Sequence, residues 1–261
     1  MRPAVKWLRR AAAAAFLLST PAGQALAGPS HLAVIISADR YEQLPDLPNA
    51  AADAALVAAA LRKTGYRTVE LAPGSRSGLL RQLARWRIAA SDASQVVVYY
   101  AGHGLQSGGR SFLLLPGVQP TEGRWQQESL SLDVVLRAFS DKPRQKIILF
   151  DACRTLPELA LLPVPATAGN PLPAGVLLAY ASQAGAPAWD GGGSNGPFAA
   201  AFAAGLQRGH TAFVPLLRHV RVKVVAKTAG LQVPWSRSAL LRAARFPAIP
   251  KIAPAGSPPE G

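Results

Sequence analysis

Lys146–Ile147–Ile148–Leu149–Phe150 runs directly into Asp151–Ala152–Cys153–Arg154. Four successive large apolar residues, two of them β-branched, specify a strand covered on both faces, as in a parallel sheet. Its tip carries Cys153, the single cysteine of the chain. Gln95–Val96–Val97–Val98–Tyr99–Tyr100 has the same character and ends in Ala101–Gly102–His103–Gly104. Placed side by side and parallel, both strands end on the carboxyl edge of the sheet, where open α/β folds put their ligands. A thiol and an imidazole then meet in one crevice.

The rest of the chain alternates between strand and helix patterns. Residues 32–37 read as a first buried strand and 67–71 as a shorter one. Asn49 is expected to cap a helix from 50 to about 63 that closes at Gly65. A second helix is expected over 77–90, with Leu79, Leu80, Leu83 and Trp86 on one face. Ser107–Gly108–Gly109 marks a turn before a small hairpin arm at 112–115, and 131–139 looks helical. Beyond Cys153, residues 155–173 are rich in Pro, Ala and Gly and read as a long loop. A further strand follows at 175–180, then helices from Pro197 to about 207 and from Phe213 to about 227, and an edge strand within 234–241. Strands separated by helices of this length call for right-handed crossovers. The expected fold class is therefore α/β, a three-layer α/β/α sandwich with a mostly parallel sheet.

Composition supports one packed domain. The chain has 261 residues, 49% hydrophobic and 16% charged, with a formal net charge of +14. That balance excludes a disordered chain. Arg2, Lys6, Arg9 and Arg10 precede a short apolar run at 11–18 and an Ala25–Leu26–Ala27 cleavage pattern. Residues 1–27 thus read as a signal peptide, too short in its apolar part to span a bilayer. Its removal takes the formal +14 to +10, and the expected destination is periplasmic or secreted, without stable membrane insertion. One cysteine allows no intrachain disulfide. Residues 246–261 hold little apolar mass and are expected to be a disordered tail.

The positive charge favours anionic partners in general. However, no basic strip interleaved with aromatics appears, so no nucleic-acid partner is expected. Arg218, Arg221, Lys223 and Lys227 read first as the solvated face of a helix. Neither Cys153 nor the four histidines show metal-ligand spacing, and no EF-hand-like loop occurs, so neither a metal nor another cofactor is expected. A serine α/β-hydrolase requires a nucleophile elbow at the end of a strand, and no expected strand ends in one.

A reactive cysteine needs a nearby base or a positive field, since the thiolate is the nucleophile. An imidazole in reach takes the thiol proton and later returns it to the leaving amine. The developing oxyanion needs fixed backbone N–H donors, and glycines flanking His103 permit the close approach that this requires. Taken alone, a cysteine at a strand end is most often a small inert core residue. Its pairing with a Gly-His-Gly tip reverses that balance.

The motifs Tyr99–Tyr100–Ala101–Gly102–His103–Gly104 and Asp151–Ala152–Cys153–Arg154 resemble the histidine and cysteine motifs of caspases, metacaspases and their bacterial relatives. The fifty-residue separation of His103 and Cys153 is similar to that of the caspase signature. Tyr41, Leu47–Pro48–Asn49 with Asp53, and Pro197–Phe198 are further matches, and the likeness spans about residues 31–241. Thr155 stands where caspases have glycine, and Ser37–Ala38 replaces the glycine–asparagine pair usual after the first strand of bacterial relatives.

The resemblance implies a caspase-like peptidase domain over residues 28–245 and a cysteine endopeptidase with Cys153 as nucleophile and His103 as acid/base. It implies an oxyanion hole from the N–H groups of Gly104 and Cys153. By the same likeness, Asp53 and Asp151 match acidic positions lining the metacaspase substrate pocket. Asp190, after Trp189, stands where caspases carry the arginine that binds a substrate aspartate. Carboxylates there favour a protein or peptide substrate with Arg or Lys at P1. The alternative is a catalytically silent caspase-like binding module. No lysine or arginine occurs between Arg154 and Arg208. An enzyme cutting after basic residues has no site of its own there, so the chain is expected to act uncut, and as a monomer.

Overall fold

The computed structural model describes residues 30–121, 123–139, 145–153, 171–183, 188 and 193–247. The expected signal peptide, the expected tail from residue 248 on, most of the loop after Cys153, and Asp190 lie outside the described residues. Phe246, the first residue of that expected tail, is instead packed against Phe213, with its N–H donating to the Thr211 carbonyl at 3.0 Å.

Five parallel strands form the middle of the molecule: β1 (His31–Ser37), β2 (Arg67–Leu71), β3 (Gln95–Gly102), β7 (Gln145–Ala152) and β8 (Val176–Tyr180). A sixth, β9 (Trp235–Ser238), closes one edge antiparallel to β8, giving the order β2-β1-β3-β7-β8-β9. β3 and β7 are thus the adjacent central pair. Every residue of β3 is buried, as the unbroken apolar run requires of a strand covered on both faces.

Side-chain alternation divides the core cleanly. Ile35, Val97, Tyr99, Ile147, Leu149 and Ala179 point to one face. There they meet α1 (Ala50–Lys63), α5 (Pro197–Gln207) and α6 (Phe213–Lys227). Val34, Ile36, Val98, Tyr100, Ile148 and Phe150 point to the other face. That side is covered by α2 (Arg76–Ala89) and α4 (Leu132–Ala138). This is the expected three-layer sandwich. A small antiparallel sheet of β4 (Gly104–Ser107), β5 (Arg110–Leu113) and β6 (Leu130–Ser131) extends from the His103 tip. Under it Leu44, Leu105, Leu114, Val118 and Trp125 form a separate apolar cluster.

Local signals account for most boundaries. Gly65 sits past the end of α1 with φ +90, and the N–H of Tyr66 returns to the Leu61 carbonyl at 3.2 Å. Ser75 caps α2 by accepting from the Gly78 N–H at 3.2 Å. Leu79 and Leu83 are buried beneath α2, with Leu80 and Trp86 packed against the same cluster. The expectation for Asn49 needs correction: its side chain makes no capping bond. Instead its amide donates to the Gly193 carbonyl at 3.0 Å, tying the start of α1 to the segment ahead of α5. The short helix α3 (Arg124–Glu128) and strand β6 carry no periodic signal of their own, and both are held by tertiary contacts.

Leu149 is fully buried between helix layer and sheet, whereas Ile88 on α2 is 74% exposed. Leu149→Ala is expected to cost about 2–5 kcal/mol in urea unfolding, and Ile88→Ala about 0.5 kcal/mol or less.

Candidate active site

The β3–β7 pairing carries a constant offset of fifty, from Gln95↔Gln145 through Gly102↔Ala152. One step further, the same register sets His103 opposite Cys153. Neighbouring strands lie about 4.8 Å apart, so the two tips emerge side by side. The backbones beyond the tips are in contact as well. A Cβ added to Gly104 would lie 2.7 Å from the Cys153 carbonyl oxygen and 2.7 Å from the Phe150 ring. A Cβ on Gly102 would lie 2.5 Å from the Tyr100 hydroxyl and 2.9 Å from that of Tyr41. Both glycines are therefore required by space.

Gly104 opens β4, facing Leu113 of β5. The Leu114 N–H donates to the His103 carbonyl at 3.0 Å. In an antiparallel ladder that bond makes Gly104–Leu113 a non-hydrogen-bonded pair, so the Gly104 N–H turns away from β5.

Two tyrosines fix the backbone of His103. Its N–H donates to the Tyr41 hydroxyl at 2.8 Å, and that hydroxyl donates to the Leu114 carbonyl at 3.1 Å. The Tyr100 hydroxyl lies 2.7 Å from both the His103 and Leu114 carbonyls. The ring is fixed separately: Nε2 lies 2.8 Å from the Pro45 carbonyl oxygen. A carbonyl only accepts, so Nε2 carries a hydrogen and Nδ1 is the nitrogen that exchanges a proton in the neutral ring. The Tyr41 ring packs edge-on against the imidazole at 4.7 Å. His103 is 8% exposed.

Cys153 is partly exposed. The backbone N–H of Ala188 donates to Sγ at 3.3 Å, and the thiol lies 3.5 Å from the Ala188 carbonyl. Cys153, Ala188, Gly102, Asp53, Asp151 and Gly196 line one cleft with a cavity of about 50 Å³. Asp151 accepts from the Tyr99 hydroxyl at 2.6 Å. Asp53, on the first turn of α1, is buried; it accepts from the Asn195 amide at 2.9 Å and from the Gly196 N–H at 2.9 Å and 3.2 Å. Asp53 is thus also the anchor of the α5 N-terminus. Of the expected site residues, Cys153, Asp53 and Asp151 line one cleft, Gly104 lies against the Cys153 carbonyl, and His103 follows the cleft-lining Gly102; Asp190 lies outside the described residues.

The Pro45 carbonyl and the Tyr99 hydroxyl escape sequence reading, because a backbone acceptor has no residue type and Tyr99 reads simply as core. Residues 192–196 do spell G-x-S-x-G, but Ser194 lies fourteen residues past the end of β8. A nucleophile elbow sits on the strand-to-helix turn itself, so this string is not one.

Burial raises the tyrosine pKa values across this region. Tyr41 is pushed up to about 12, mainly by burial. Tyr99 and Tyr100 lie well above the ordinary value, again by burial first; next come the Asp151 carboxylate for Tyr99 and Tyr41 for Tyr100. Tyr66, buried behind β1, is also raised by burial.

A covered, mostly parallel sheet whose adjoining central tips carry an imidazole and a thiol defines the class of caspase-like α/β folds. Residues 30–245 match the model of the Caspase domain, and the chain belongs to that family. Caspase-1 from Spodoptera frugiperda has a similar structure, with a TM-score of 0.64 and 17% identity over 86% of this chain and 92% of that one. No curated protein sequence matches the chain.

The four raised tyrosines predict an alkaline limit. Each is neutral in the folded state while its unfolded counterpart ionises from about pH 10. Stability from these groups is complete below pH 10 and falls as pH rises towards their folded values, about 12 for Tyr41. The slope is about 1.4 kcal/mol per pH unit for each group that ionises only on unfolding. Four tyrosines' worth of tyrosinate absorbance should appear together with loss of structure above pH 10, not before it.

Proposed function

We propose that the chain is a cysteine endopeptidase that cleaves after arginine or lysine, with Cys153 as nucleophile and His103 as acid/base. The observation that supports this reading is the β3–β7 register, which ends at Gly102–Ala152, one residue short of His103 on one strand and of Cys153 on the other.

The mechanism follows from the hydrogen bonds around each group. With Nε2–H committed to the Pro45 carbonyl, Nδ1 of His103 takes the thiol proton. The substrate displaces the Ala188 backbone from Sγ, and the thiolate attacks the scissile carbonyl carbon. The resulting oxyanion is met by the Gly104 N–H, which the β4–β5 ladder does not use, and by the Cys153 N–H. His103 returns its proton to the leaving amine as the C–N bond breaks. Water, deprotonated by the same imidazole, then hydrolyses the thioester and restores the thiol.

Charge in the cleft supports the specificity. Asp53 and Asp151 both line it, and no lysine or arginine does so among the described residues. A carboxylate oxygen has lone pairs beyond one accepted bond, so Asp151 can bind a guanidinium while holding Tyr99. Asp190 is proposed as a third acidic contact, from its place after Trp189.

Fluorogenic peptides ending in arginine, lysine or aspartate test the reading. Cleavage after arginine and lysine is expected, with Cys153→Ala and His103→Ala inactive. Asp151→Asn is expected to lower kcat/KM for the arginine peptide about 10- to 100-fold, the usual worth of a charge-assisted bond. Cleavage after aspartate would refute the pocket assignment, and cleavage of none the peptidase reading.

The run without lysine or arginine between Arg154 and Arg208 supports activity as an uncut chain. Intact mass after prolonged incubation with substrate should show no fragment beginning within residues 156–207. Such a fragment accompanying the onset of activity would contradict this.

A further inference from the structure

On the face of the helix layer formed by α5 and α6 there is an open groove of about 450 Å³. Its floor is made of small side chains, Ala200, Ala201 and Ala204 from α5 with Ala226 from α6. Its rim carries the cations Arg208, Lys223 and Lys227 together with His219, and no carboxylate lines it. The helices approach closely along their shared seam, because Gly205 presents no side chain toward Leu216 and His219. Arg208 and His219 therefore mark one end of the groove, Pro197 and Lys227 the other.

Among the described residues no carboxylate pairs with Arg208, Lys223 or Lys227, although ion pairs such as Arg62–Glu70 and Arg110–Asp133 form elsewhere. Burial lowers the His219 pKa, and the positive fields of His210, Arg208 and Lys223 lower it further. The charges thus converge on one strip.

We propose that this groove binds an acidic peptide segment in extended conformation, with carboxylates at alternate positions and small residues between them. The spacing favours this occupant. His219, Lys223 and Lys227 recur every four residues, about 6 Å along the helix axis. Side chains on one side of an extended chain recur about every 6.7 Å, and long lysine stems absorb the difference. The alternate side chains face the alanine floor, which has room only for small groups. Single-stranded nucleic acid would need a run of stacking surfaces, and the His219 imidazole is the one aromatic ring among the lining residues. A membrane would need protruding large apolar groups at the site, whereas the alanine floor is recessed between two helices. The proposal is independent of the peptidase reading.

The test uses the full chain and a fluorescein-labelled (Glu-Ala)₄ peptide, followed by anisotropy at physiological salt. Saturable binding is expected, weakened at least tenfold in Lys223→Glu/Lys227→Glu. Arg81→Glu/Arg85→Glu on α2 makes the same change in net charge far from the groove and should leave binding within twofold. Thermal melting of each variant confirms folding. Absence of saturable binding, equal loss in both double variants, or an unchanged Kd in the groove variant would overturn the proposal. So would tighter binding of an eight-nucleotide oligothymidine or of phosphatidylglycerol vesicles at the same residues.

Discussion

The parallel pairing of β3 with β7 is the constraint on which the site depends. These are the two central strands, covered by helices on both faces, so their register is fixed by burial on both sides. A slip of one residue would exchange Tyr99 for Tyr100 and Leu149 for Phe150 between helix layers of different shape. The proposed chemistry sits on the first residues beyond that pairing, His103 and Cys153, whose strands are aligned by side chains that take no part in it.

What lies beyond the strand ends is held by polar contacts instead. Tyr41 and Tyr100 hold the His103 peptide, Pro45 holds its ring, and Asp53 holds the segment that opens α5. These groups come from the loop after β1, the β3 strand and α1. Burial and hydrogen bonding therefore serve the same end: few rearrangements remain for the two reacting groups. The two glycines complete this arrangement, since any larger residue at either position meets buried atoms.

Much of this architecture is legible in the chain itself. Unbroken apolar runs identify buried strands, and the helix periods at 50–63, 197–207 and 213–227 coincide with α1, α5 and α6. The single cysteine and the Gly-His-Gly tip identify the candidate pair. Other features have no local signature. Asn49 has the residue type of a cap, but its amide is claimed by Gly193, 144 positions away. The Pro45 carbonyl cannot be read from residue identity, and α3 exists only because Trp125 fills the cluster beneath β4 and β5. Tertiary competition for hydrogen bonds, rather than weak propensity, separates the expectation from the outcome in each case.

Because Cys153 is the sole cysteine, its chemistry can be followed without interference. The rate of its alkylation by iodoacetamide near pH 7, in wild type and in His103→Ala, tests the claimed pairing most directly. If the imidazole draws the thiol proton across the strand tips, the variant should react at least tenfold more slowly while melting at a similar temperature. Equal rates in the two proteins would show that the two side chains do not act on each other.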